Sequence, residues 1–172
     1  MNQENNPFTS NERVELRNGL YSEILPGLWQ GGTHEDEERD TAIPSEDSRP
    51  IGTDEFDVVG TFYQYAQPVK WHVFEHRYPF YDGDMADIDM GHIMRTALSM
   101  YTDWKAGKRV LSRCQAGWNR SGLVTALILM MDGYSAEAAI DLIRRKRSRD
   151  ALCNSHFEKF LRQFTPSMLN AS

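Results

Sequence analysis

Arg109-Val-Leu-Ser-Arg-Cys-Gln-Ala-Gly-Trp-Asn-Arg-Ser-Gly122 is the stretch on which the reading of this chain turns. Val110 and Leu111 belong to a short apolar run of the kind that forms a buried strand. Cys114 closes the run, a loop containing Gly117 follows, and Arg120 and Ser121 open a long apolar helical pattern. This strand–loop–helix order turns backbone N–H groups inward around one anion and adds the positive end of a helix to the same point. An electropositive setting favours the thiolate form of a cysteine. A thiolate beside an oxyanion nest, with an arginine able to hold two oxygens at once, is equipped to attack a phosphate ester. The plainer role for Cys114 is that of a small buried hydrophobe, the usual fate of a free cysteine. Strand, loop, arginine and helix in register favour the nucleophile.

Around this stretch the chain reads as an α/β domain. Ser22–Gly32 predicts two short strands about the Pro26-Gly27 turn, and Phe56–Phe62 and Trp71–Phe74 are β-prone runs separated by a turn at Gln67-Pro68. Met90–Trp104 carries Ile93, Met94, Ala97, Leu98, Tyr101 and Trp104 at helical spacing, with Gly107 as its C-terminal stop. Leu123–Met131 is apolar on most sides and predicts a buried helix that ends at Gly133. Ser135 caps a further helix, and Asn154 or Ser155 caps one bearing Phe157, Phe160, Leu161 and Phe164. Alternating strands and helices imply a central, mostly parallel sheet flanked by helices. The Cys-x5-Arg loop then lies between a strand and a helix, where such sheets place their ligands.

At 172 residues one domain is expected. We divide the chain into a polar N-terminal extension at 1–18, a catalytic domain at 19–166 and a tail at 167–172. The two cysteines, Cys114 and Cys153, supply no disulfide framework, which suits a reducing cytoplasmic setting. The first residues lack the basic and apolar regions of a signal peptide, and no apolar stretch reaches membrane-spanning length. No membrane partner is therefore expected. A net charge of −6 argues against general nucleic-acid binding. The acids concentrate in residues 34–57, read as a long solvated loop. The cluster Arg144–Arg149 reads either as the solvated C-terminal turn of a helix or as a substrate-docking patch. His34, His72, His76, His92 and His156 are scattered without metal-ligand spacing, so neither metal nor other cofactor is expected.

The pattern Cys114-x5-Arg120-Ser121 resembles the signature of the cysteine-based protein tyrosine phosphatases, and the stretch Ile24–Gly31 is similar to the opening of their dual-specificity branch. The resemblance spans about residues 20–165. It implies a phosphorylated protein or peptide as substrate, with phosphotyrosine and also phosphoserine or phosphothreonine as targets. It implies further that Cys114 attacks phosphorus to give a cysteinyl-phosphate. Arg120 and the backbone of the loop Gln115, Ala116, Gly117, Trp118, Asn119 and Arg120 would hold the phosphate oxygens. The Ser121 hydroxyl would support the departing sulfur. A loop aspartate would protonate the leaving group and then activate water. Asp82, 32 positions before Cys114 in Tyr78–Ile88, matches the family pattern for that acid. Asp84 is its rival, and Asp87 is read as the cap of the following helix.

This chain departs from the resemblance in two places. Arg113 stands where most members have histidine; it keeps a positive charge near the thiol but puts the loop's hydrogen bonding in question. The loop interior holds no lysine and no arginine before Arg120, which disfavours inositol lipids. Trp118–Gly122 also looks like the loop of RNA 5′-triphosphatases of the same superfamily, so an RNA 5′ end is the alternative substrate. A third reading, a phosphate-binding pseudophosphatase, fits poorly with retention of Cys114, Arg120, Ser121 and Asp82.

Overall fold

The computed structural model describes residues 19–33 and 50–171. Five strands form one sheet: β1 (Tyr21–Leu25), β2 (Leu28–Gly31), β3 (Val58–Thr61), β4 (Phe74–Arg77) and β5 (Val110–Arg113). Their order across the sheet is β1-β2-β5-β3-β4. Only β1 and β2 pair antiparallel, about the turn at Gly27, whose φ of 82° suits glycine. β2, β5, β3 and β4 run parallel to one another, with β5 at the centre. The expected mostly parallel sheet is present. Among the described residues four helices flank it: α1 (Met90–Lys105), α2 (Arg120–Met131), α3 (Ala136–Lys146) and α4 (Ser155–Gln163), with a 3₁₀ turn at Pro166–Ala171.

Alternation along the central strands divides the core in two. Val58 and Val110 face the helical side with α2, whereas Val59 and Leu111 face a second apolar cluster containing Tyr21, Trp29, Ile51 and Phe56. α2 packs against α1, α3 and α4, and every residue from Ser121 to Met130 is buried. This explains an apolar pattern without a polar face. The caps form as the side chains predict: Ser135 accepts from Ala138 N, and Asn154 accepts from His156 N and Phe157 N.

Three expectations need correction. The fourth strand is Phe74–Arg77, three residues later than the β-prone run at Trp71–Phe74; Trp71 is 85% exposed in the turn before it. β4 is an edge strand bonded only to β3, so its residues need not be apolar, and hydrophobicity misplaced it. Of the acidic stretch 34–57, residues 34–49 lie outside the described residues, as do residues 1–18. The remainder is not a solvated loop. Ile51 and Phe56 seal the second cluster, and buried Glu55 accepts from Gly52 N. Asp57 is tied to Arg109 in a bidentate pair at 2.7 and 2.9 Å. Finally, Asp89, not Asp87, caps α1, accepting from His92 N at 2.9 Å.

Candidate active site

The chain leaves the central strand at Arg113, and Cys114 is the first residue of the loop, its N–H bonded to Gly31 O at 3.2 Å. The next four carbonyls are all bonded away from the loop centre. Gln115 O accepts from Thr33 N at 2.9 Å, and Ala116 O from Arg147 Nη2 at 3.2 Å. Gly117 O accepts from Gln30 Nε2 at 3.0 Å and Arg147 Nε at 3.3 Å, and Trp118 O from Leu152 N at 3.1 Å. In a trans peptide the N–H points opposite to the preceding C=O. The N–H groups of residues 116 to 119 are therefore turned to the opposite side, forming a nest for an anion. Gly117 has φ of 75°, and a Cβ there would lie 2.4 Å from the carbonyl carbon of Gly31, so both the turn and the close approach require glycine.

Cys114 is 2% exposed, and its Sγ lies 3.2 Å from Ser121 Oγ at the start of α2. The backbone of Ser121 is fixed in turn by Ser112 Oγ, which donates to its carbonyl at 3.0 Å. Arg120 makes two long bonds, to Phe80 O at 3.3 Å and Gln115 Oε1 at 3.4 Å, and its guanidinium lies 5.2 Å from the Tyr63 ring centroid. Among the described residues its Nε is buried without a partner and no carboxylate pairs with it. A guanidinium held by weak neutral contacts retains its donors for a phosphate. Arg120 forms one wall of a cleft of about 780 Å³ that Tyr63, Tyr65, Tyr78, Tyr81 and Asp82 also line.

Two arginines take parts that differ from those expected. Arg113 donates to Thr61 Oγ1 at 2.9 Å, to Gln67 O at 2.5 Å and to Glu75 Oε2 at 3.1 Å. Burial pushes its guanidinium pKa down, opposed by Tyr21 and Glu75. Its charge is spent on Glu75 between β3 and β4, so it does not serve the loop as the usual histidine would. Arg147 does. From the basic cluster it reaches Gly19 O, Ser22 Oγ, Ala116 O and Gly117 O. Burial lowers its pKa too, against an opposing electrostatic contribution from Cys114. Arg144 likewise turns inward, to Ala151 O and Leu152 O. The cluster is thus neither simply solvated nor simply a docking patch; its two inward members brace the loops around Cys114. Arginines spaced three apart at the end of a helix bearing an apolar face, Arg144 in its last turn and Arg147 as its C-cap, carried the signal for this.

Asp82 is exposed at the cleft mouth and receives two amide donors. Asn119 Nδ2 donates to its Oδ2 at 2.9 Å, and Asn154 Nδ2 to its Oδ1 at 2.7 Å. Asp84 bonds its own turn, accepting from Ala86 N at 3.0 Å, and shares the cleft wall with Asp87. The structure therefore brings Asp82, Asn119, Arg120, Ser121 and Cys114 into one region. Asn154 is a site neighbour that cap reasoning found only as a helix start.

The arrangement of strands and helices is the fold of solved dual-specificity phosphatases. Human DUSP28 superposes with a TM-score of 0.66 at 21% identity, over 87% of this chain and 95% of that one. DUSP15 does so with a TM-score of 0.66 at 19% identity, over 88% and 90% of the two chains. Kinase associated phosphatase, with its catalytic-site cysteine replaced by serine, gives 0.66 at 18% identity, over 88% and 95%. In sequence, the 123R protein of Invertebrate iridescent virus 6, named as a candidate tyrosine phosphatase, is 30% identical over 102 residues. That match spans 59% of this chain and 66% of the viral protein, just under two thirds of its length. No family model matches the chain.

Proposed function

We propose that this protein is a cysteine-dependent phosphatase acting on phosphorylated proteins, with phosphotyrosine and also phosphoserine or phosphothreonine as targets and residues 19–166 as its catalytic domain. The observation that carries the reading is Cys114 Sγ, 3.2 Å from Ser121 Oγ, at the base of a loop whose four carbonyls are bonded outward. The Cys114 thiolate attacks phosphorus in line, the S–P bond forms and the ester P–O bond breaks. Nest N–H groups and Arg120 hold the three equatorial oxygens. Asp82 gives its proton to the leaving oxygen, then as carboxylate takes one from the water that attacks the cysteinyl-phosphate. The S–P bond breaks, and the Ser121 hydroxyl donates to the departing sulfur.

The cleft favours a peptide over an RNA 5′ end. Among its described lining residues Arg120 is the sole cation, against Asp82, Asp84 and Asp87 and a set of aromatic rings. An RNA strand calls for several cations along its phosphates. Both cysteines are free thiols, which suits work in the reducing cytoplasm. The test is turnover of p-nitrophenyl phosphate and of a phosphotyrosyl peptide by wild type, Cys114→Ser and Asp82→Asn. Wild-type turnover, none in Cys114→Ser, and a loss of about a hundredfold or more on the peptide in Asp82→Asn support it. Release of phosphate only from RNA 5′-triphosphate, or phosphate binding without turnover, overturns it.

A further inference from the structure

We propose that the Asn119 side chain is a positioning residue that holds Asp82 at the cleft, latching the acid-bearing loop to the loop that carries Cys114. The inference rests on the phosphatase reading above and adds a residue to it. Asp82 and Asn119 are 37 positions apart, on separate loops, and meet through one bond of 2.9 Å.

The orientation of that amide is set by its other end. Asn119 Oδ1 accepts from the backbone N–H of Asn154 at 3.0 Å. A backbone N–H can only donate, so the carbonyl oxygen of the Asn119 amide must face it. The Nδ2 group is thereby left facing Asp82, with Cys153 Sγ as a second, weaker acceptor at 3.4 Å. Asn154 completes the latch. Its Nδ2 donates to Asp82 Oδ1 at 2.7 Å and to Gly83 O at 2.9 Å, while its Oδ1 caps α4. Each carboxylate oxygen of Asp82 thus accepts one amide hydrogen and keeps a second lone pair, which leaves room for a substrate oxygen or a water.

Residue type matters at 119. An aspartate there would set two carboxylates against each other, and an alanine would leave Asp82 held only from the α4 side. Asn119 is also N-terminal neighbour to Arg120, and its carbonyl accepts from Leu123 N in the first turn of α2. The residue that starts the phosphate-holding helix is therefore the one that aims the acid. Coupling these two groups through one side chain keeps the distance between the attacked phosphorus and the proton donor fixed, where an error of about 1 Å can cost about a hundredfold in rate.

A residue that acts through the acid reveals itself by leaving group. Phenyl phosphate needs protonation of its departing oxygen, whereas 2,4-dinitrophenyl phosphate scarcely does. We expect Asn119→Ala to lower kcat on phenyl phosphate by about ten- to a hundredfold, with a loss on the dinitrophenyl ester at least about tenfold smaller. Asp82→Asn should show the same pattern more strongly, and Asp82→Asn combined with Asn119→Ala should be no worse than Asp82→Asn alone. Equal inhibition of wild type and Asn119→Ala by inorganic phosphate would confirm that the loop is intact. An equal loss on both esters, additive losses in the double variant, or no loss at all would overturn the proposal. Wild type inactive on both esters would instead remove the phosphatase reading on which it stands.

Discussion

Arg147 Nε donates to the carbonyl of Gly117 at 3.3 Å, and so a residue in the turn after one helix sets the back of a loop 30 positions earlier. The same guanidinium holds Ala116 O and reaches Gly19 O and Ser22 Oγ, tying the loop to the start of β1. Here this arginine supports the cysteine loop, a part the resemblance assigns to the histidine that Arg113 replaces.

Replacing Arg147 should therefore damage both fold and site. Of its charged hydrogen bonds, that to Gly117 O is part-buried and those to Gly19 O and Ala116 O are exposed, so their combined loss costs at most about 1.5–3 kcal/mol. Arg147→Ala should show that loss in urea unfolding and a raised inhibition constant for phosphate, because the Ala116 carbonyl loses its Arg147 bond and the Gly117 carbonyl is left to Gln30. Arg147→Lys should recover little, since one ammonium cannot reproduce the fork. Normal phosphate inhibition in a folded Arg147→Ala protein would contradict this.

Gly117→Ala should abolish catalysis at modest cost to the rest of the molecule. The added methyl meets Gly31 and Gly32 backbone at 2.4–2.5 Å and must sit at φ of 75°. The loop has to move, and we expect a loss of at least about a hundredfold in kcat/KM with the circular-dichroism spectrum retained. Gly107, also at positive φ, has open space around its Cβ position and serves as the contrast. Gly107→Ala should keep full activity per folded molecule.

Glu75→Ala should destabilise more than it inactivates. Glu75 pairs with the Arg113 side chain, which is only 5% exposed, and also accepts from Thr61 Oγ1 at 2.7 Å. Removing it leaves a buried guanidinium without its carboxylate, which costs about 3–5 kcal/mol. Arg113 spends its donors on β3, β4 and Gln67, so kcat per folded molecule should change little. A large fall in kcat with unchanged melting temperature would restore Arg113 to the catalytic site.

His76 gives the fold a pH dependence of calculable sign. Burial lowers its pKa from 6.5, with Asp103 opposing and His92 assisting, and its Nε2 is buried without a partner among the described residues. A folded pKa below the unfolded one means that the unfolded chain takes up the proton first as pH falls. The stability it contributes is present above pH 6.5 and is lost as pH drops through the folded pKa. Urea unfolding at pH 7.5 and pH 5.5 should show wild type weaker at the lower value, with a smaller difference in His76→Asn. An identical difference in both proteins would assign the effect elsewhere.

What could be read from the chain followed the range of the forces involved. The cysteine loop, Gly117 and the buried helix after Arg120 were legible because strand, turn and helix signals lie within about twenty residues of each other. Ser135 and Asn154 were legible as caps for the same reason. β4 was not, because an edge strand has one bonded side and its sequence, Phe-Glu-His-Arg, carries little hydrophobic signal. Arg113, Arg147 and Asn119 were read by type, but their partners at Glu75, Gly117 and Asp82 lie 30 to 38 positions away. Only the folded sheet decides which carboxylate or carbonyl each one meets.

The central claim is a covalent phosphoryl–Cys114 intermediate. Asp82→Asn, which should slow the water step, can be mixed with an activated aryl phosphate and quenched in acid within milliseconds to seconds, then digested for mass spectrometry. The account predicts one phosphoryl group on the peptide containing Cys114, absent from Asp82→Asn combined with Cys114→Ser. Product release with no adduct on that peptide, or an adduct that survives replacement of Cys114, would contradict it.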